Sequence, residues 1–295
     1  MKRTLRYTLS VTISTLIVGA NLTPALASTA PGLGKATSFA VLAGETVTNT
    51  GNTVVTGDLG VSPGTAVTGF PPGQVTGAQH NGPTDPLAVS AKNDLTTAYG
   101  VAASSPCNFN KANQNLGGKT LIPGTYCQST APTLSGTLTL SGNGVYIFQI
   151  GSTLVTAPGA VVRLTNGAQP CNVFWQVSSS ATLDTTTTFV GTIMALTSIG
   201  LKTGATLAGR ALARNGSVTL DTNKITASTT CNAVSTSRAP RVPRGRAPRI
   251  PRAGAGPSQG DGFPWILAMI AGVLASGGAV GLGMGVRTRR RSRLT

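Results

Sequence analysis

Val173-Phe-Trp-Gln-Val177 and, 18 residues later, Gly191-Thr-Ile-Met-Ala195 decide the fold of this chain. The same step connects three sets of apolar positions: Trp175 with Ile193 and Ala211, Val177 with Ala195 and Ala213, and Phe189 with Leu207 and Ile225. A period of this length, with strand-sized apolar segments between Gly, Asn and Thr, is typical of a solenoid whose coils bury their apolar side chains by stacking. Such a coil has room for about three strands, so the repeat predicts a mainly β protein, a β-solenoid.

One earlier coil is longer than the others. A step longer by nine residues places Phe148, Ile150 and Val162 on the same three positions as Trp175, Val177 and Phe189. The sequence therefore predicts a nine-residue insertion between Val162 and Phe174. It also predicts one continuous core, formed by Trp175, Val177, Phe189, Ile193, Leu207 and Ile225.

A helix is predicted over about residues 86–103, inside the otherwise β chain. Asp85 and Pro86 form a good helix start, since Asp favours the N-cap and Pro the first helical position. Apolar residues then recur at helical spacing: Leu87, Ala91, Leu95, Ala98 and Ala102. We expect this helix to lie lengthwise on the solenoid and to cover apolar side chains that the coils do not bury themselves.

The two ends of the chain predict export and membrane attachment. Residues 1–27 have the basic, apolar and small-residue order of a secretory signal, with cleavage after Ala27. Phe263 to Val286 is a run of 24 residues without a charge, long enough to span a bilayer, and residues 287–295 are rich in Arg. Because positive residues stay in the cytoplasm, we expect a single-pass membrane protein whose main domain, residues 28–234, is extracellular.

Residues 235–262 form a linker with two copies of an Arg- and Pro-rich octapeptide, which favours an extended polyproline conformation. It could be a solvated stalk, or it could bind anionic lipid head groups or wall polymers. Within the span, Gly277, Gly281 and Gly285 repeat at every fourth residue, a spacing that permits close helix pairing and a weak homodimer. The plain alternative is that glycine is simply common in such spans.

The net charge of +16 does not indicate nucleic-acid binding, because of where the charges lie. Fourteen of the 23 basic residues are in the signal, the linker and the tail. Residues 28–234 contain the remaining nine basic residues and six acidic residues, so the domain is nearly neutral. We expect no nucleic-acid partner.

Four cysteines fall in the exported part, and an even count in an oxidising compartment indicates two disulfides. Three pairings are possible; Cys107 with Cys127 and Cys171 with Cys231 is the favoured one. Metal binding is less favoured, since the chain has no CxxC and one histidine, His80. The acids are scattered, and neither a phosphate-binding loop nor a nucleophile motif is present, so we expect neither an enzyme nor a cofactor.

Several segments closely resemble the DUF3494 ice-binding family, in the family's order: Phe39-Ala-Val-Leu-Ala-Gly44, Val54-Val-Thr-Gly-Asp-Leu-Gly-Val-Ser-Pro-Gly64, Gly118-Lys-Thr-Leu-Ile-Pro-Gly-Thr-Tyr126, Tyr146-Ile-Phe-Gln-Ile150, Val173-Phe-Trp-Gln-Val177, Gly191-Thr-Ile-Met-Ala-Leu-Thr-Ser-Ile199 and Gly209-Arg-Ala-Leu-Ala213. The resemblance covers nearly all of residues 33–227. It implies a discontinuous right-handed β-helix of roughly triangular section with one long α-helix alongside, and binding of ice through one flat face.

The family's loose motif, Thr-Ala/Gly-x-Thr/Asn, is matched at Thr50 to Thr53, Thr65 to Thr68, Thr130 to Thr133, Thr203 to Thr206 and Thr226 to Thr229. Thr185 and Thr188 stand one repeat before Thr203 and Thr206, which predicts two short threonine ladders. Residues three apart share a face only if the backbone bends between them. The next step reaches Asp221 and Lys224, whose charges would interrupt an ice-like lattice.

Two hypotheses follow for the exposed threonines. Thr185, Thr188, Thr203 and Thr206, with Thr50, Thr53, Thr65 and Thr68, are candidate contacts to an ice crystal. Alternatively they are ordinary strand threonines. The domain would then be a surface adhesin or a structural module of the cell envelope.

Overall fold

The computed structural model describes residues 28–111 and 114–228. The predicted signal, linker, membrane span and tail lie outside these residues, as do Cys231 and the three glycines of the span. In the described part of the chain, no helix is both long enough and apolar enough to cross a bilayer.

The described residues form parallel strands, one α-helix, and short 3-10 helices at Gly34–Thr37 and Pro170–Asn172. The helix α1 is Pro86–Ser104. In chain order the strands are β1 Phe39–Ala43, β2 Thr46–Thr50, β3 Val54–Thr56, β4 Asp58–Val61, β5 Ala66–Thr68, β6 Gln74–Val75, β7 Gln79–Asn81, β8 Phe109–Asn110, β9 Thr120–Leu121, β10 Gly124–Gln128, β11 Thr133–Leu134, β12 Thr137–Ser141, β13 Tyr146–Ile150, β14 Leu154–Thr156, β15 Val161–Thr165, β16 Val173–Val177, β17 Ala181–Leu183, β18 Thr188–Ala195, β19 Ile199–Leu201, β20 Thr206–Ala213, β21 Val218–Asp221 and β22 Lys224–Thr226.

The strands build a solenoid with three faces. The helix face has the order β7-β4-β1-β20-β18-β16-β13-β10-β8, and the seven-stranded face has the order β5-β2-β21-β19-β17-β14-β11. The third face has the order β6-β3-β22-β20-β18-β15-β12-β9. β18 and β20 belong to two faces because each bends at a glycine, Gly191 and Gly209, with positive φ. A Cβ on Gly209 would lie 1.9 Å from the Gly191 carbonyl oxygen, so only glycine fits there.

The solenoid is discontinuous in chain order, as the family resemblance implied. β1 pairs with β20, β2 with β21 and β3 with β22, so the first coils of the chain stack on its last coil. Helix α1 then carries the chain to the opposite end of the stack, where β8 begins the remaining coils.

The strand register confirms the predicted repeat. Trp175 pairs with Ile193, and Ile193 pairs with Ala211. Phe148 pairs with Trp175 across the longer coil, as predicted. The insertion is also confirmed: it forms the segment between β15 and β16, which includes the 3-10 helix Pro170–Asn172.

The predicted core residues are buried in one cluster that runs through the solenoid. Its aromatic rings form a column, with Phe148 and Trp175 stacked at 3.9 Å between ring centroids. Trp175 also donates an Nε1 hydrogen bond of 2.9 Å to the Val190 carbonyl oxygen, so its polar atom is paired inside the core. The column includes Phe109, Tyr126, Phe148, Trp175 and Phe189.

Helix α1 covers the helix face, as predicted. The Asp85 side chain caps its first turn by accepting from the backbone N–H groups of Leu87 and Ala88, both at 2.9 Å. The buried side of the helix and the face beneath it share a second apolar cluster, which includes Ala91, Leu95, Ala98, Ala102, Leu42, Ile147, Phe174, Met194 and Leu212. The solenoid therefore buries apolar side chains on its outside as well as on its inside.

Polar groups fix the position of the helix. Gln176 donates to the Tyr99 hydroxyl at 2.7 Å, and the Arg214 guanidinium lies 4.8 Å from the centre of the Tyr99 ring. Gln149 donates to the carbonyl oxygens of Ala102 and Ser105 at the C-terminal end of the helix. These amides would lose their partners if the helix shifted, so they specify one docked position.

A disulfide joins Cys107, just after α1, to Cys127 in β10, which confirms the predicted pair. Cys171 lies in the insertion. Its predicted partner, Cys231, is outside the described residues, so the second pairing stays a prediction.

Leu207→Ala tests the register of the core. Leu207 is buried between Phe189 and Ile225 on neighbouring coils, so we expect the free energy of unfolding to fall by about 2 to 5 kcal/mol. The adjacent Ala208 faces solvent, and Ala208→Ser should change that free energy by less than about 0.5 kcal/mol. Urea unfolding followed by circular dichroism measures both, and equal effects would contradict the register.

Candidate functional site

One column of threonines runs along the centre of the seven-stranded face. Strand register aligns Thr68 with Thr48, Thr48 with Thr219, Thr219 with Gly200, and Gly200 with Thr182. The column continues through Val155 to Thr133. On β2, β14, β17 and β21 its members alternate with buried residues, so their side chains point outward.

A row of small hydroxyl side chains borders this central column on one side. Ser180, Ser198 and Ser217 precede β17, β19 and β21, and Thr46 donates to Ser217 at 2.9 Å. The Ser180 and Ser198 oxygens accept from backbone N–H groups of the next coil, at 3.3 Å and 3.2 Å. These hydroxyls are therefore partly used within the protein and stiffen this edge of the face.

Charged residues border the central column on the other side. Asp184, Lys202 and Asp221 follow the aligned residues Leu183, Leu201 and Leu220, so acid, base and acid alternate along the stack. Lys202 and Asp184 form an ion pair of 3.2 Å. Hydrogen bonds from the Thr185 backbone N–H and, second, from Lys202 lower the pKa of Asp184, which keeps this carboxylate ionised at neutral pH.

The geometry of the face is a two-dimensional grid. Parallel coils are spaced about 4.8 Å apart, and outward side chains along one strand are spaced about 6.8 Å apart. Each threonine presents a hydroxyl that can donate and accept, and a methyl group beside it. Such a grid can hold water molecules in fixed positions over the central column.

The third face is less regular. Thr188 aligns with Thr206, which confirms the predicted register of this ladder, but the next residue in the column is Lys224. Lys224 and Arg163 are both exposed on this face. A shallow depression between β18, β20 and β22 indents it. The charge at Lys224 interrupts the ladder, as the sequence predicted.

The four-residue threonine motifs span a corner of the solenoid. The backbone bends between Thr185 and Thr188, where Thr186 has a φ of 56°. Thr185 and Thr203 consequently lie in the turns between the seven-stranded face and the third face, while Thr188 and Thr206 begin strands of the third face. The two predicted ladders therefore do not form one surface. The Thr203 hydroxyl also donates to the Asp221 carboxylate, so it is engaged within the protein.

Thr53 was predicted to contact ice, and its burial shows that this prediction is wrong. Its side chain is fully buried at this corner, where its hydroxyl accepts from the Asn223 backbone N–H at 3.0 Å. Its predicted companions Thr50, Thr65 and Thr68 are exposed, and Thr50 and Thr68 belong to strands of the seven-stranded face. In the segment Thr50 to Thr53, the first threonine of the motif is therefore exposed and the second is buried.

Three residues at the centre of the grid are not among the predicted ice contacts: Thr48, Thr182 and Thr219. Alternation marks them, since each stands between two apolar residues or follows one on a short strand. The step from Gly200 to Thr219 is one residue longer than the 18-residue repeat, however, so counting in fixed steps of 18 residues does not reach Thr219.

A family model described as ice-binding-like matches residues 41–226. The chain belongs to this family. The ice-binding protein of Nostoc sp. (strain HG1) is 50% identical over 208 residues, which cover 69% of this chain and 76% of that protein.

Two solved structures share the fold of this ice-binding-like family member. An ice-binding protein from an Antarctic biological consortium is 45% identical with a TM-score of 0.65, covering 75% of this chain and 96% of that one. The DUF3494 domain of Shewanella frigidimarina ice-binding protein 1 is 32% identical with a TM-score of 0.64, covering 70% of this chain and 100% of that one.

Thr182→Val and Thr53→Val separate surface threonines from structural ones in this ice-binding-like domain. Thr182 points outward from β17, so its replacement should change the free energy of unfolding by less than about 0.5 kcal/mol. Thr53→Val leaves the buried Asn223 N–H without its acceptor and should cost about 1 to 3 kcal/mol. Thermal unfolding of both variants measures the difference, and a larger loss at Thr182 would show that it is structural.

Proposed function

We propose that this chain binds ice through its seven-stranded face and presents that face at the outside of the cell. The central column carries the proposal, because parallel strand pairing fixes its outward threonines Thr68, Thr48, Thr219 and Thr182 in register, with Gly200 between the last two. Membership of the ice-binding-like family supports ice as the ligand.

The proposed mechanism depends on a rigid binding surface and involves no chemical reaction. Ice is an ordered solid, so a surface that binds it must hold its own water-binding groups at fixed spacings. Threonine is stiff about its first side-chain torsion, which limits the entropy lost on binding. Beneath the column, the apolar residues Leu183, Leu201 and Leu220 are buried on successive coils and anchor the strands to the core. No bond is made or broken, and the domain acts by adsorption.

Elimination of the other two faces also supports this assignment. Helix α1 covers the helix face. The third face carries Lys224 and Arg163, whose hydrated, flexible side chains disrupt an ordered water layer. The charges at the border of the seven-stranded face lie beside the central column instead of within it.

The position of Ser228, which precedes the linker in the sequence, supports outward presentation. Ala227 bonds to Thr56 of the third face, and the Ser228 carbonyl oxygen accepts from Arg210 at 2.7 Å. Arg210 lies in the part of β20 that belongs to the helix face, so Ser228 is at the corner between the third face and the helix face. That corner is opposite the seven-stranded face. Membrane attachment through residues 263–286 is part of the proposal and rests on the sequence.

Thr219→Tyr tests the assignment of the ice-binding face. A tyrosine ring in the central column spoils the flat grid without entering the core, so we expect thermal hysteresis and ice-crystal shaping by residues 28–234 to be lost. Thr188→Tyr places the same ring on the third face and should leave both unchanged. Circular dichroism should show wild-type folding for both variants.

The opposite pattern, with Thr188→Tyr inactive and Thr219→Tyr active, would assign ice binding to the third face. A wild-type domain that neither shapes ice crystals nor depresses their growth temperature would refute the proposal. The alternative of a surface adhesin would then be favoured, because every other feature of the chain is consistent with it.

A further inference from the structure

Gly200 interrupts the central column of the seven-stranded face at its middle. It is aligned with Thr182 on one side and with Thr219 on the other. With coils about 4.8 Å apart, these two threonines are about 9.6 Å apart, and neither a hydroxyl nor a methyl group lies between them. The column is thus divided into Thr68, Thr48 and Thr219 on one side and Thr182, Val155 and Thr133 on the other.

Nothing in the backbone requires glycine at this position. Gly200 is not among the glycines with positive φ, in contrast to Gly191 and Gly209. A Cβ built on Gly200 would meet no atom within 4 Å, so the added side chain would extend into open space above the face. Glycine also weakens a strand interior, where β-branched residues are favoured. The glycine in β19 is therefore neither a turn residue nor a packing requirement.

We propose that Gly200 limits the affinity of this protein for ice, because it forms a notch that divides the threonine grid into two parts. This inference rests on the proposed function of the seven-stranded face. A threonine at position 200 would join Thr182 to Thr219 and produce an unbroken row of five threonines. The row could then hold water molecules over each successive coil, instead of over two separated patches.

The size of the effect follows from the added contact. One further methyl group buried against a ligand corresponds to about fourfold tighter binding. Gly200→Thr should therefore raise ice adsorption on the order of fourfold, with an unfolding midpoint equal to or above that of the wild-type protein.

The experiment measures how the full-length chain, purified with a mild detergent, partitions between slowly grown ice and the remaining liquid. Gly100→Thr is the matched control: Gly100 is exposed on helix α1, and a Cβ there also meets no atom within 4 Å. We expect Gly200→Thr to enrich the protein in ice, and Gly100→Thr to behave as the wild type.

Thr219→Tyr tests the assignment of the ice-binding face separately from the role of Gly200. If Thr219→Tyr abolishes partitioning into ice while Gly200→Thr leaves it unchanged or lower, the notch does not limit affinity, although the face assignment stands. If Thr219→Tyr partitions as the wild type does, both the face and the role of Gly200 are wrong. Equal gains in Gly200→Thr and Gly100→Thr would also overturn the inference, since the gain would not come from the face.

Discussion

Parallel hydrogen bonding between coils places each side chain directly over its counterpart one coil away, and this register determines both the inside and the outside of the protein. Inside, it stacks Phe148 on Trp175 and Phe189 over Leu207, so that each coil completes the core of the next. Outside, the same alignment converts Thr219 and Thr48 from separate residues into neighbours in a column. A solenoid is stabilised almost entirely by contacts between adjacent repeats. The proposed ice-binding surface is therefore a direct product of the interactions that hold the fold together.

The core could be predicted because burial imposes the strictest spacing. Trp175, Ile193 and Ala211 must all point inward at one position of the coil, so the sequence repeats an apolar residue there even though side-chain size changes. Helix α1 was predictable for a similar reason: its N-cap and apolar stripe are local signals that do not depend on the rest of the chain.

The functional face could be predicted only in part, because threonine fits surface strands, turns and inner corners alike. Thr53 and Thr206 are the last residues of two matching motifs, yet Thr53 is buried against Asn223 and Thr206 begins a strand of the third face. The difference is one of register, because strand pairing aligns Thr206 with Lys224, and Lys224 with Val54, the residue after Thr53. Both motifs bend at a glycine with positive φ, Gly51 and Gly204, so the four-residue pattern does not reveal this shift of one residue. Because the step from Gly200 to Thr219 is one residue longer than the repeat, counting in fixed steps along the sequence does not find the central column.

The order of the coils has a consequence for how the protein becomes active after synthesis. Thr48 and Thr68 come from the first coils of the chain, whereas Thr182 and Thr219 come from the last. The first coils cannot pair through β1, β2 and β3 until β20, β21 and β22, the last strands of the described chain, have emerged. Pairing over such a separation is slow and makes folding depend on the whole domain. A truncated or half-folded chain would consequently carry only fragments of the grid, so a complete surface is present only on a completely folded domain.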